Sequence, residues 1–131
     1  MTLPLEFQMV TLLIIEDDMP TRLMVTRMVK NLGIQKTHFA TDGFTGLATL
    51  RQVRPDVVLC DINMEPMDGL AFVHEVGQDR ELSSRRTPII FMTSNPTANN
   101  VLAAKGLGIN CFLVKPVTPD MLKQRLMTVL Q

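Results

Sequence analysis

The chain has 131 residues, 46% of them apolar, and its 13 basic side chains balance 13 acidic ones. That length suits one domain with a real hydrophobic core, and a mean hydropathy of +0.16 with 20% charged residues argues against long-range disorder. Zero net charge argues against a protein built to neutralise nucleic-acid phosphates or coat a membrane, two cysteines are too few for a disulfide framework, and no apolar run approaches the roughly 18 residues that span a bilayer.

Met1 to Val10 carries Glu6 and no basic residue, so a signal peptide is not expected and the protein should be cytoplasmic. Residues 1–9 read as a mobile arm ahead of a single domain over 10–131. Thr11 to Ile15 is an apolar, β-branched run ending abruptly in Glu16-Asp17-Asp18, a buried strand with an acidic C-terminal edge. Pro20 opens a helix with Leu23, Met24, Val25, Met28, Val29 and Leu32 at helical spacing, closed by Gly33. Gln35 to Ala40 is a more polar strand that belongs at an edge. Asp42-Gly43 starts a helix with Leu47, Leu50 and Val53 inward, and Pro55 stops it.

Asp56 to Cys60 is the clearest buried strand and runs into Asp61. A loop through Pro66 leads to a helix from about Asp68, with Leu70, Phe72, Val73 and Val76 inward. Gln78 to Thr87 is polar and Arg-rich, and reads as a loop or frayed helix end. Pro88 to Met92 is a fourth strand leading into Thr93-Ser94-Asn95. A short helix over about 97–107 and a fifth strand, Ile109 to Val114, follow, the latter ending at Lys115-Pro116. Thr118-Pro119-Asp120 caps a last helix through Leu130, with Leu122, Leu126, Val129 and Leu130 on one face. Five strands, each followed by a helix, predict an α/β fold: a five-stranded parallel sheet, doubly wound, with five helices on its two faces.

Four of those strands end in residues of complementary kinds: Glu16 and Asp17, Asp61, Thr93, and Lys115. In such a sheet all C-terminal strand ends share one edge, where ligands bind, so residues spread over about a hundred positions are expected to converge. Three carboxylates in one pocket raise each other's pKa unless a cation joins them, and Mg²⁺ suits an all-oxygen site that uses few carboxylates. A carboxylate beside that ion can attack phosphorus, with Thr93 as a hydroxyl donor and Lys115 as a positive charge for phosphoryl oxygens. Alone, Asp17 with Asp18 would read as a helix cap, Thr93 as a turn residue and Lys115 as a surface lysine; their value lies in combination. Cys60 and Cys111 should be reduced core residues. His38 and His74 lack ligand-like spacing.

These residues resemble the response regulator receiver domain family, closest to its single-domain chemotaxis type. The matching motifs are Leu13-Ile14-Ile15-Glu16-Asp17-Asp18, Ala40-Thr41-Asp42-Gly43, Pro55-Asp56-Val57-Val58-Leu59-Cys60-Asp61, Met67-Asp68-Gly69, Pro88-Ile89-Ile90-Phe91-Met92-Thr93-Ser94 and Phe112-Leu113-Val114-Lys115-Pro116, covering about 11–131. The resemblance implies a flavodoxin-like strand order of 2-1-3-4-5 and makes Asp61 the phosphoacceptor. It gives Mg²⁺ the ligands Asp17, Asp61 and the Asn63 backbone carbonyl, with Glu16 acting through water. Thr93, with Ser94 beside it, and Lys115 would handle the phosphoryl group. Phe112 falls at the aromatic switch position, and a cis Lys115–Pro116 peptide is implied. So are Mg²⁺-dependent self-phosphorylation from phosphodonors and autodephosphorylation, rather than metabolic catalysis.

The implied partners are a histidine kinase or histidine phosphotransfer protein and a downstream target, without nucleic acid or membrane insertion. With no second domain in the chain, output is expected through protein contact near the helix after the fourth strand and the fifth strand. Two departures stand out. Met64-Glu65-Pro66-Met67-Asp68-Gly69 shifts the family's proline by one and adds a fourth acid near the metal, and Phe112 replaces the commoner tyrosine. A phosphatase of the haloacid dehalogenase type uses similar residues, but its nucleophile ends the first strand and its acidic pair comes last, the reverse of this chain. A receiver-like module that is never phosphorylated is disfavoured by Asp61, Thr93 and Lys115.

Overall fold

The computed structural model describes residues 6–96 and 99–131. Five strands, β1 (Thr11–Ile15), β2 (Lys36–Ala40), β3 (Val57–Asp61), β4 (Ile89–Thr93) and β5 (Phe112–Val114), pair in parallel in the order β2-β1-β3-β4-β5. Six helices cover them: α1 (Met19–Asn31), α2 (Gly43–Val53), α3 (Gly69–Gln78), α4 (Arg80–Arg85), α5 (Asn99–Gly106) and α6 (Pro119–Leu130).

Strand alternation sorts the core into two layers. Leu13, Ile15, Val58, Cys60 and Phe91 face Leu47 and Leu50 of α2, Phe72 and Val73 of α3, and Val101 and Ala104 of α5. Leu12, Ile14, Val57, Leu59, Ile90 and Leu113 face Val25 and Val29 of α1 and Leu122 and Leu126 of α6. Because both faces of the central strands are covered, β1 and β3 are continuous apolar runs, whereas edge strand β2 buries only Ala40. Asp18, Asp42, Asp68, Asp79 and Thr118 cap the N-termini of α1, α2, α3, α4 and α6 through side-chain bonds to backbone N–H groups. α1, α2, α3 and α6 each follow a strand, so their capped starts lie at the C-terminal edge of the sheet, whereas α4 follows α3 and starts at the other edge.

Several boundaries differ from the sequence reading, each for a physical reason. The expected loop over Gln78 to Thr87 contains α4, a sixth helix. Asp79 caps it, Leu82 is buried beneath it, and the Arg85 guanidinium donates to the Leu50 and Arg51 carbonyls at the end of α2. The expected arm begins to fold before residue 10: Phe7–Met9 form a 3₁₀ turn and Phe7 packs against the α1/α6 layer, while residues 1–5 lie outside the described residues. Leu23 and Met24 are exposed rather than inward, since Val25 and Val29 hold the buried stripe of α1. β2 starts at Lys36, and β5 is only three residues long because the Ile109 N–H turns back to the Ala104 carbonyl and closes α5. Of the helix expected over 97–107, its first two residues lie outside the described ones.

The Lys115–Pro116 peptide is cis, as expected, and so is Glu65–Pro66. Cys60 and Cys111 are free thiols, one buried and one half-buried. Among the described residues no helix is long and apolar enough to cross a membrane.

Candidate functional site

Register brings the predicted residues together. Ile15 pairs with Cys60, so Glu16 and Asp61 leave neighbouring strands side by side, and Asp61 pairs with Met92 one residue before Thr93. Thr93 in turn pairs with Val114, the residue before Lys115. Glu16, Asp17 and Asp61 each bring a carboxylate oxygen within 4.8 Å of the others. The Lys115 ammonium lies 2.8 Å from Glu16 Oε1 and 3.3 Å from Asp61 Oδ2.

Glu16 is fully buried, with Oε1 accepting from Lys115 and Oε2 from the Asp18 N–H at 3.3 Å. Burial raises its pKa, and the adjoining Asp61 carboxylate adds to this, while Lys115 opposes both. Asp17 is exposed at the rim, yet its carboxyl is also raised, by partial burial and then by Glu16. For Lys115, burial works against the charged form but is outweighed by the Glu16 hydrogen bond and the Asp61 and Glu16 charges, so its pKa rises. Three acids against one lysine leave surplus negative charge on hard oxygen donors. That donor set fits a divalent cation of the Mg²⁺ type, and the pocket can hold one.

The remaining predicted residues take distinct places. The Asn63 N–H reaches back to Asp61 Oδ1 at 3.4 Å from the exposed loop after β3. Thr93 is buried, and its hydroxyl turns into its own loop, donating to the Asn95 carbonyl at 3.3 Å and accepting from the Asn95 N–H at 3.1 Å. Ser94 is exposed in the bend beyond and joins none of these hydrogen bonds. Phe112 is half-buried with its ring centroid 6.4 Å from that of Phe91, on the sheet face that also carries Thr93. Its carbonyl accepts from Arg125 Nε at 2.9 Å. His38 and His74 are both exposed and stand apart from the cluster.

Three residues support the site without a role assigned from the sequence, two of them, Gly43 and Gly69, inside its motifs. A Cβ on Gly69 would sit 2.5 Å from the Asp61 carbonyl oxygen and 3.0 Å from Ile62 Cα, so α3 can start this close to the acid only on glycine. Gly43 leaves the space that Met67 occupies, and its N–H donates to the Met67 carbonyl, which ties two motifs far apart in sequence into one rim. The position of each glycine beside a capping Asp was a visible signal. Asn100 of α5, whose Nδ2 donates to Asn63 Oδ1 at 3.4 Å, had no signal at all, because a lone Asn on a short helix carries no pattern.

A profile of the response regulator receiver domain matches residues 12–127. The chain is 31% identical over 115 residues to chemotaxis protein CheY-3 of Vibrio cholerae, an alignment covering 88% of this chain and 87% of that one. Among solved structures, chemotaxis protein CheY4 of Vibrio cholerae is similar at a TM-score of 0.82 and 32% identity, over 92% of this chain and 98% of that one. The receiver domain of a sensor histidine kinase from Pseudomonas aeruginosa PAO1, solved with a magnesium ion coordinated in its active-site cleft, shares the fold at a TM-score of 0.83 and 24% identity, over 92% and 97% of the two chains.

Proposed function

Because the chain belongs to the response regulator receiver domain family and is a phosphoacceptor switch of two-component signalling, we propose that Asp61 is the residue that takes the phosphoryl group. The observation that carries this reading is the placement of Asp61 at the end of β3, with Lys115 at 3.3 Å and the Glu16 and Asp17 carboxylates close by. Asp17, Asp61 and the Asn63 carbonyl would hold Mg²⁺; both Glu16 oxygens are already engaged by the protein, in keeping with contact through water. The bound ion would supply charge neutralisation on the transferring oxygens. Lys115 fixes Asp61 Oδ2 and offers its positive charge to the incoming phosphoryl group.

The donor is a phosphohistidine on a kinase or phosphotransfer protein, small phosphodonors serve in its place, and the acyl phosphate is removed by self-catalysed hydrolysis. The protein works in the cytoplasm. Output runs through protein contact: the new charge draws the Thr93 hydroxyl away from Asn95, Phe112 follows into the space released, and the surface of α5 and β5 changes its affinity for a target. Incubation with acetyl phosphate or phosphoramidate and Mg²⁺ should give one phosphoryl adduct by intact mass, absent in Asp61→Asn. An unchanged adduct in that variant would overturn the assignment. Thr93→Ala should still accept phosphate but lose much of the phosphorylation-dependent gain in target binding.

A further inference from the structure

Resting on the assignment of Asp61 as phosphoacceptor, we propose that Glu65 is a donor-selecting residue, favouring donors that bind phosphorus through nitrogen over acyl phosphates. Asp17, Asn63, Met64, Glu65 and Asp68 line one cleft, and two of them reach the phosphoacceptor: the Asp17 carboxylate clusters with that of Asp61, and the Asn63 N–H donates to Asp61 Oδ1. The other carboxylates there are committed. Asp17 belongs to the cation cluster, and Asp68 Oδ1 accepts from the Ala71 N–H to cap α3. Glu65 is exposed and makes no hydrogen bond or ion pair with any described residue. Nor does it sit on a loose loop: Met64 before it is buried in the core, and Met67 after it is seated over Gly43. No basic residue lines the cleft, and Lys115 is turned to Glu16 and Asp61. The loop backbone therefore holds at the mouth of this cleft a carboxylate that no described side chain neutralises.

Donor chemistries differ in what they carry past it. In phosphoramidate or a phosphoimidazole the nitrogen is protonated before cleavage. The P–N bond breaks as the Asp61 Oδ–P bond forms, and the amine departs neutral with its electron pair. In acetyl phosphate the P–O bond breaks and acetate departs as an anion, so negative charge grows on the leaving oxygen. A carboxylate at the mouth attracts the donor with a cationic nitrogen as it approaches and repels the more anionic acyl phosphate and its departing anion, so it raises the second-order rate constant of the first class relative to the second.

The test compares phosphorylation rate constants with phosphoramidate and with acetyl phosphate, each at saturating Mg²⁺ so that metal affinity drops out. Intact mass is the readout, since the chain has no Trp or Tyr to report by fluorescence. In Glu65→Gln the ratio of the second-order rate constants for phosphoramidate and acetyl phosphate should fall about three- to ten-fold, the size expected for one charge acting through partly aqueous medium. Glu65→Lys should lower it further, and high salt should shrink the difference between variants. A ratio that rises, stays level or falls by less than about three-fold in Glu65→Gln overturns the proposal while leaving Asp61 in place. No adduct from either donor on the wild-type chain would overturn both.

Discussion

Asp17 and Asp18 are neighbours in the chain, yet their surroundings push them in opposite directions. Asp17, in the cation cluster, is raised by partial burial and by Glu16; Asp18, capping α1, is lowered by the Thr21 hydroxyl and N–H. The same division runs through the whole molecule. At the far corner Asp79 caps α4 and pairs with Arg51 at 3.1 Å, and its carboxyl too is held low, by the Leu82 N–H and then by Arg51. At the sheet edge, Glu16 sits above its ordinary range because burial outweighs Lys115. The capping acids stabilise the fold that holds them, whereas the site acids are held at a cost to stability that a cation or phosphoryl chemistry can relieve.

The largest expected effect comes from disturbing the backbone on which the site acids are mounted. Gly69→Ala puts a methyl against the Asp61 carbonyl and Ile62 Cα, neither of which can yield. It should destabilise by about 1–3 kcal/mol in urea unfolding and depress phosphorylation along with stability. Next in size is relief of the strained charge. Mg²⁺ should raise the melting temperature of the wild type, by about 1.4 kcal/mol of added stability at ten-fold excess over its dissociation constant. Asp17→Asn should lose most of that response, and without Mg²⁺ it should be no less stable than the wild type.

The pH dependence follows from the same division. Glu16 and Asp17 have folded pKa values above their unfolded ones, so the folded chain binds protons first. Without metal, stability should rise as pH falls from neutral through those folded values and level off below the unfolded ones. Asp18 and Asp79 have depressed folded values. Their contribution is complete above the ordinary carboxylate pKa and is lost as pH drops through the folded values. In a chelator, the urea midpoint should therefore be higher at about pH 5 than at about pH 7.5 and fall again in stronger acid, and saturating Mg²⁺ should flatten or reverse the first limb. The smallest effect is the mirror case: Asp79→Ala should lower the melting temperature slightly at neutral pH, leave donor phosphorylation unchanged, and lose its effect in strong acid.

What could be read from the sequence tracks how local the cause is. The β-branched run from Asp56 to Cys60 declares a buried strand within five residues, and Asp61, Thr93 and Lys115 each follow such a run directly, so their convergence required only parallel strands. α4 was not readable because it has one buried apolar residue, Leu82, and is held by Arg85 reaching carbonyls 34 and 35 residues away. Leu23 and Met24 misled because helical spacing marks an apolar stripe without fixing its edges. The inward reach of Lys115 to Glu16, 99 residues distant, and the turn of the Thr93 hydroxyl toward Asn95 depend on packing that no local pattern encodes.

The most direct test of the account is to locate the phosphoryl group. Phosphorylated protein reduced with borohydride converts an aspartyl phosphate to homoserine, and peptide mass mapping then names the residue. The expected result is conversion at Asp61 alone, with Asp17, Glu16 and Asp68 untouched. Conversion at Asp17 or at any other acid of the cleft, with Asp61 unmodified, would contradict it.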